Sequence, residues 1–206
     1  MRQRIVDQSI KTGFSFDEKQ LDQLYELITN LLKWNQSYNL TAIKDEQEAI
    51  DLHLIDSLLI APYCKFEHVL DVGTGAGFPG LPLAIALPNT KFVLVDSNNK
   101  KTRFIQQMIY QLKLGNVEVE NARVEDLQKQ QFDAVVSRAF ASVADMVEMT
   151  RHLLKPDGCW LAMKARYSQQ EQDQLPEWVR QEAIYPLDIP GVSTERKLVK
   201  LTKINI

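Results

Sequence analysis

A chain of 206 residues is long enough to bury a sizeable core, as one domain with an extension or as two small ones. Its formal net charge of −3 excludes a global attraction to nucleic acid, so any basic surface must be local. The acidity is uneven: residues 1–68 carry 7 Lys and Arg against 11 Asp and Glu, while residues 69–206 carry 17 against 16. Cys64 and Cys159 are too few and too scattered for a disulfide framework or a metal site, and they read as free thiols in a reducing compartment. The N-terminus lacks an apolar signal core and no run is long enough to span a bilayer, so a cytoplasmic protein is expected.

Residues up to about 62 read as helices. After Gly13, Ser15 and Glu18 have capping-box spacing, and Leu21, Leu24, Leu27, Ile28, Leu31, Leu32 and Trp34 recur at helical intervals. The segment from Trp34 to Ile43 (WNQSYNLTAI) ends that helix in residues suited to turns. On spacing alone it is a helix C-cap with Trp34 as core. Asp45 with Glu48 then opens a helix carrying Ile50, Leu54, Leu58 and Ala61, which Pro62 ends. His53, Asp56 and Ser57 fall on neighbouring parts of one surface of that helix.

From residue 69 the pattern changes to strands alternating with helices, which implies right-handed βαβ units. Strands are predicted at Val69–Val72, Phe92–Asp96, Val117–Asn121, Asp133–Ser137 and Cys159–Ala165, with helices near 81–87, 99–113, 125–128 and 143–154. Ala183–Ile189 and Lys197–Ile204, around a Pro-Gly turn at 190–191, read as an antiparallel hairpin at the sheet edge. The expected architecture is an open α/β sheet (66–206) behind a helical N-terminal cap (1–65). Ligands in such sheets sit at the C-terminal ends of the strands, where the strand order reverses.

The first strand runs into a glycine-dense turn, Gly73 to Gly80, and the second ends in Asp96, placed for a ribose. Together they read as a nucleoside-cofactor site. Gly75 to Gly80 satisfies G-x-G-x-x-G, but two residues argue against a dinucleotide. Asp71 would crowd a pyrophosphate with like charge, and Pro79 removes an N–H that a phosphate-binding helix would offer. A cofactor with a cationic amino-acid tail fits better, since Asp71 then attracts. S-adenosylmethionine has that tail, with Asp96 for its ribose and the backbone of Gly73, Thr74, Gly75 and Gly77 for its methionine end.

The other strand ends supply Ser97, the segment Asn121 to Glu125, Arg138 and Lys164. The backbone and Val124 can hold an adenine, and Glu125 is either part of that site or a helix-start residue favoured by the dipole. Arg138 follows the apolar run Ala134–Val136, where a guanidinium must face a cleft, a carboxylate or a phosphate. Basic residues gather around the predicted cleft, Lys100, Arg103, Arg123, Lys164 and Arg196 among them, a local rim of the kind expected of an RNA-binding enzyme of modest affinity. No histidine cluster or nucleophilic triad is present, so no general base is assigned. Arg138, Lys164, Asn39, His53 and Asp56 are candidates for positioning. A small-molecule methyltransferase, a nicotinamide dehydrogenase and a non-enzymatic RNA-binding protein remain as alternatives.

Trp34-Asn35, Tyr38 to Thr41, His53-x-x-Asp56-Ser57-Leu58, Asp71 to Gly80, Asp96-Ser97 and Ser137-Arg138-Ala139 together resemble the RsmG family. These are the glucose-inhibited division B proteins, bacterial methyltransferases of small-subunit ribosomal RNA. The likeness runs from about residue 15 to the C-terminus. It implies a Rossmann-like class I methyltransferase sheet and S-adenosylmethionine-dependent N7-methylation of a guanine in 16S ribosomal RNA. The substrate would be naked RNA, the small subunit or an assembly intermediate, and a monomer is expected. By the same resemblance Gly73, Phe78, Val124, Glu125 and Arg138 touch the cofactor. Two positions depart from relatives: Leu52 is often basic, and Lys197 is often His.

Overall fold

The computed structural model describes residues 1–128, 131–138, 140 and 142–204. Its centre is a seven-stranded sheet in the order β3-β2-β1-β4-β5-β7-β6. The strands are β1 (His68–Val72), β2 (Lys91–Val95), β3 (Val117–Glu120), β4 (Phe132–Ser137), β5 (Leu154–Lys164), β6 (Val179–Pro186) and β7 (Lys197–Lys203). The first five are parallel; β7 runs antiparallel to both β5 and β6. The order reverses between β1 and β4, which opens a crevice at their C-terminal ends.

Alternation along the strands sorts the core into two layers. Leu70, Val72, Val135 and Trp160 face helix α7 (Val143–Thr150), and the Trp160 indole N–H donates to Thr150 Oγ1 at 2.8 Å. Val69, Phe92, Leu94 and Leu161 face the other way, onto α5 (Gly80–Ala86) and α6 (Asn99–Leu112). The cap is continuous with this second layer: Leu24, Leu27, Ile28 and Leu31 of α2 (Glu18–Tyr38) are fully buried in the same cluster. Two glutamines of α2 also satisfy carbonyls that helix ends leave unpaired. Gln20 donates to Ile85 O at 2.9 Å and Gln23 to Leu112 O at 2.7 Å.

The element limits shift in instructive ways. Helix α2 is capped by Asp17 and Gln20, not by Ser15 and Glu18: Asp17 Oδ1 accepts from Gln20 N at 2.7 Å and Gln20 Oε1 from Asp17 N at 3.1 Å. The two pairs share one spacing, but starting at Asp17 places Phe16 just outside the helix, where it packs on the core. A preceding helix, α1 (Arg2–Lys11), buries Ile5. Asp45 does cap the next helix, accepting from Gln47 N and Glu48 N. That helix is α3 (Glu46–Ala49) only briefly; a π-helical turn (Ile50–Ile55) follows, then α4 (Asp56–Leu58). The expected helix at 125–128 is a single 3-10 turn, Val124–Asp126, and the one at 143–154 breaks after Thr150 so that β5 starts at Leu154, five residues early. The hairpin is present, but its first strand begins at Val179. A short helix, α8 (Gln169–Asp173), completes the set. Cys64 and Cys159 are both free and buried. Among the described residues no helix is long and apolar enough to cross a membrane.

Candidate active site

The loop after β1 is built around Asp71. As an inward-facing strand residue it is fully buried, and its Oδ2 accepts from Thr74 Oγ1 at 2.6 Å and from Gly80 N at 2.8 Å. Position 80 must be glycine, because a Cβ there would lie 2.7 Å from both that oxygen and Leu94 Cγ. Thr74 N donates to Val95 O at 3.1 Å, which ties the loop to the end of β2. Gly73, at φ +62, has no described residue within 4 Å of where its Cβ would be, so a ligand can approach the main chain there. Burial pushes Asp71 up to about 7, against the pull of Thr74, Gly80 and Arg138. Its Oδ1 has no hydrogen-bond partner among the described residues. Asp71 therefore organises the loop from below instead of lining the cleft.

Asp96 stands just beyond β2 and spans the crevice floor. Its Oδ2 accepts from Gly75 N at 2.9 Å and its Oδ1 from Asn98 N at 2.8 Å, joining the glycine loop to the start of α6. A cavity of about 300 Å³ opens beside it, lined among others by Gly73, Asp96, Ser97, Arg123, Val124 and Glu125. The fold thus brings together most of the residues expected at a nucleoside, from three different strand ends. Thr74 and Phe78 are buried behind it.

On the far side of the loop lies a second constellation, shared by cap and sheet. His53 is carried by the π-helical turn, a wide turn that often marks function. Its Nδ1 lies 3.0 Å from Arg138 Nη2 and its Nε2 2.8 Å from Thr41 Oγ1. A guanidinium only donates, so Nδ1 is the acceptor and Nε2 carries the proton toward Thr41. Burial, with Arg138 beside it, lowers His53 to about 3, so the ring is neutral at physiological pH. Arg138 also donates to Leu52 O at 3.0 Å and pairs with Asp56 Oδ2 at 3.4 Å, while Arg196 Nε stands 3.6 Å from Asp56 Oδ1. Burial raises Asp56, and the two arginines oppose it. The bond to Leu52 uses its carbonyl, so the departure of that side chain from relatives leaves it untouched. Phe78 joins the two halves: its ring stacks on His53 at 5.0 Å between centroids and lies 5.7 Å below the Arg138 guanidinium.

Asn35, which carries no site assignment from sequence, sets the cap side. Its Oδ1 accepts from Thr41 N at 2.9 Å and its Nδ2 donates to Ile43 O at 3.1 Å. This folds the chain after Asn39, whose φ of 51 ends α2 in the left-handed region, and so delivers Thr41 to His53. The available signal is the Asn-Leu-Thr turn itself. Asn39 is exposed at that turn. Lys164 is drawn aside from the cleft by Glu171, a partner that sequence reasoning misses, at 2.7 Å. Lys100 and Arg103 point away from the cofactor cleft, into a groove between α6 and α2. Ala139, part of the Ser-Arg-Ala motif, lies outside the described residues.

This sheet order, with a glycine loop at its switch point and an acidic residue ending the next strand, defines a Rossmann-like class I methyltransferase fold. Solved structures agree on the fold. The mitomycin 7-O-methyltransferase MmcR superposes with a TM-score of 0.59 at 13% identity, covering 88% of this chain and 60% of that one. TYW2 of P. horikoshii, in complex with MeSAdo, gives 0.55 at 13% identity over 72% and 61%. The sequence is more specific. The GidB family, described as rRNA small subunit methyltransferase G, matches residues 20–199, and the chain belongs to it. Proteins named Ribosomal RNA small subunit methyltransferase G are 43% identical in Photobacterium profundum, over 98% of both chains, and 46% identical in Hydrogenovibrio crunogenus, over 93% of this chain and 89% of that one. The chain is a methyltransferase, which sets aside the dehydrogenase and the non-enzymatic alternatives.

Proposed function

We propose that this enzyme uses S-adenosylmethionine to methylate N7 of a guanine in 16S ribosomal RNA, in the cytoplasm. The observation that carries the cofactor is the junction of Gly73, open to approach, with Asp96 across a cavity of about 300 Å³. Asp96 keeps lone pairs free for ribose hydroxyls after accepting two backbone N–H groups. Val124 supplies an apolar wall for adenine, and the buried Asp71 carboxylate supports a cationic methionine tail through space. Arg138, by family resemblance, is among the residues that touch the cofactor. The bound cofactor supplies a methyl group on a cationic sulfur. The RNA substrate is taken from the names of the relatives.

Guanine N7 carries an in-plane lone pair and no proton, so the chain has nothing to remove before transfer. Its task is alignment. Arg138, clamped by His53, Leu52 and Asp56, is fixed before substrate arrives, and Phe78 transmits that fixation to the glycine loop. We therefore expect the single-turnover rate, with RNA and cofactor saturating, to vary little between about pH 6 and 8.5. A rate rising tenfold per pH unit would reveal a base and make N7 the wrong atom. Lys100 and Arg103 engage phosphate in this reading. Changing both to Ala should flatten the salt dependence of RNA binding by roughly two units and leave cofactor affinity alone. An unchanged slope would return them to ordinary solvated surface. The direct test of function is mass spectrometry of 16S ribosomal RNA from cells with and without the gene: a single methyl group on one guanine should vanish, and its persistence would overturn the proposal.

A further inference from the structure

The groove between α2 and α6 has a composition that the methyl-transfer site does not explain. Its volume is about 590 Å³, within the range of roughly 300–1,000 Å³ typical of small-molecule pockets. Trp34, Tyr38, Lys100, Arg103, Gln107 and Tyr110 line it, and among the described residues no carboxylate does, although the N-terminal third of the chain is acidic. On α6 the lining residues are 100, 103, 106, 107 and 110, one face of a helix that begins three residues after Asp96. That face extends roughly 15 Å from the cofactor cleft. Lys101 sits on the other side of α6, its Nζ 3.9 Å from the position a Gly75 Cβ would take. Successive lysines of one turn thus serve the loop and the groove.

Three aromatic rings, Trp34, Tyr38 and Tyr110, border the groove. Trp34 is held from behind by Phe104, edge-on at 5.6 Å, and meets Tyr38 at 5.2 Å. Tyr38 is 46% exposed and Tyr110 is 81% exposed, large flat surfaces left in water beside two cations. An apolar protein helix would find no aliphatic floor here and two desolvated charges. A single-stranded nucleic acid finds what it needs: π-faces for bases, cations for phosphates and glutamine amides for base edges.

We propose that this groove is a stacking site for an unpaired nucleotide of the RNA next to the methylated guanine. It rests on ribosomal RNA being the substrate. The target base must leave its stack to reach the cofactor cleft, and a neighbour stacked on Tyr38 and Tyr110 offsets that unstacking while setting the strand's direction along α6.

The test compares Tyr38→Ala and Tyr110→Ala with Tyr38→Phe and Tyr110→Phe on small ribosomal subunits purified from cells lacking the gene. Each Ala variant should raise KM for the subunit about five- to twentyfold with kcat little changed, since one stacked base contributes on the order of a few RT. Each Phe variant should stay within about twofold, because stacking needs the ring and not the hydroxyl. Cofactor affinity by calorimetry should be the same in all five proteins. Ultraviolet irradiation of the wild-type enzyme on these subunits should leave a nucleotide adduct on the tryptic peptide of residues 104–113. Unchanged KM in the Ala variants, or equal losses in Ala and Phe, would overturn the proposal. So would a raised KM without the adduct, which would assign the groove to a ribosomal protein. Failure of the wild-type enzyme to methylate these subunits, and naked 16S ribosomal RNA as well, would instead count against the RNA substrate itself.

Discussion

Replacing Asp96 by alanine should weaken S-adenosylmethionine binding by about ten- to a hundredfold, or roughly 1.5–3 kcal/mol, as expected when hydrogen bonds to a charged acceptor are lost. The residue does two things at once. It presents lone pairs to the ribose, and it holds Gly75 N at 2.9 Å and Asn98 N at 2.8 Å, which keeps the glycine loop and the start of α6 in register. Losing the carboxylate removes the ligand contact and frees the loop beside it. Asp96→Asn retains one acceptor oxygen and similar shape, so its loss should fall between wild type and alanine. Titration calorimetry decides the matter. Equal affinity in wild type and Asp96→Ala would remove this residue from the ribose, and binding of NAD in place of S-adenosylmethionine would remove the cofactor assignment.

Much of this is legible in the sequence because it rests on local rules. Strand alternation places β1 to β5, and glycines ahead of an apolar helix mark the loop. Asp96 can be placed because ligands of a parallel sheet bind at the carboxyl ends of its strands, and a carboxylate stands directly after the apolar run of β2. Other features rest on contacts between distant residues. Asp71 reads from sequence as a neighbour of the cofactor tail, but its side of the strand is decided by pleat parity, and Oδ2 is consumed by Thr74 and Gly80. The π-helical turn has no sequence periodicity of its own, so the meeting of His53 with Arg138, 85 residues away, is out of reach. Lys164 looks available until Glu171 arrives from a helix of five residues, too short to show a periodicity, whose only local sign is the Ser168-x-x-Glu171 cap spacing. The early start of β5 escapes because the strand passes through Pro156, Asp157 and Gly158, residue types that favour turns.

The buried Asp71 leads to a second large effect, on pH. Its carboxyl is pushed up to about 7 from an ordinary 3.8 because burial penalises the charge, despite hydrogen bonds from Thr74 and Gly80 that favour it. Between those two values the folded chain holds a proton that the unfolded chain has released. Stability contributed by this group therefore falls as pH rises from about 4 to about 7, and levels off above. Cofactor binding should run the other way. A cationic tail above the loop favours the ionised carboxylate, so affinity for S-adenosylmethionine should rise through pH 6 to 7, by at most tenfold per unit, and binding near pH 6 should release up to about one proton. The groups facing Asp71 leave this window clear: His53 is held near 3, Arg138 stays cationic, and the nearby Asp96 raises Asp71 further. Asp71→Asn keeps an oxygen for Thr74 Oγ1 and Gly80 N, so it should fold and lose both pH dependences. Calorimetry in two buffers of different ionisation enthalpy reads the proton count directly. No proton release in the wild type, or the same release in Asp71→Asn, would show that the cofactor's charge is not felt by this carboxylate, and its role would then be confined to holding the loop.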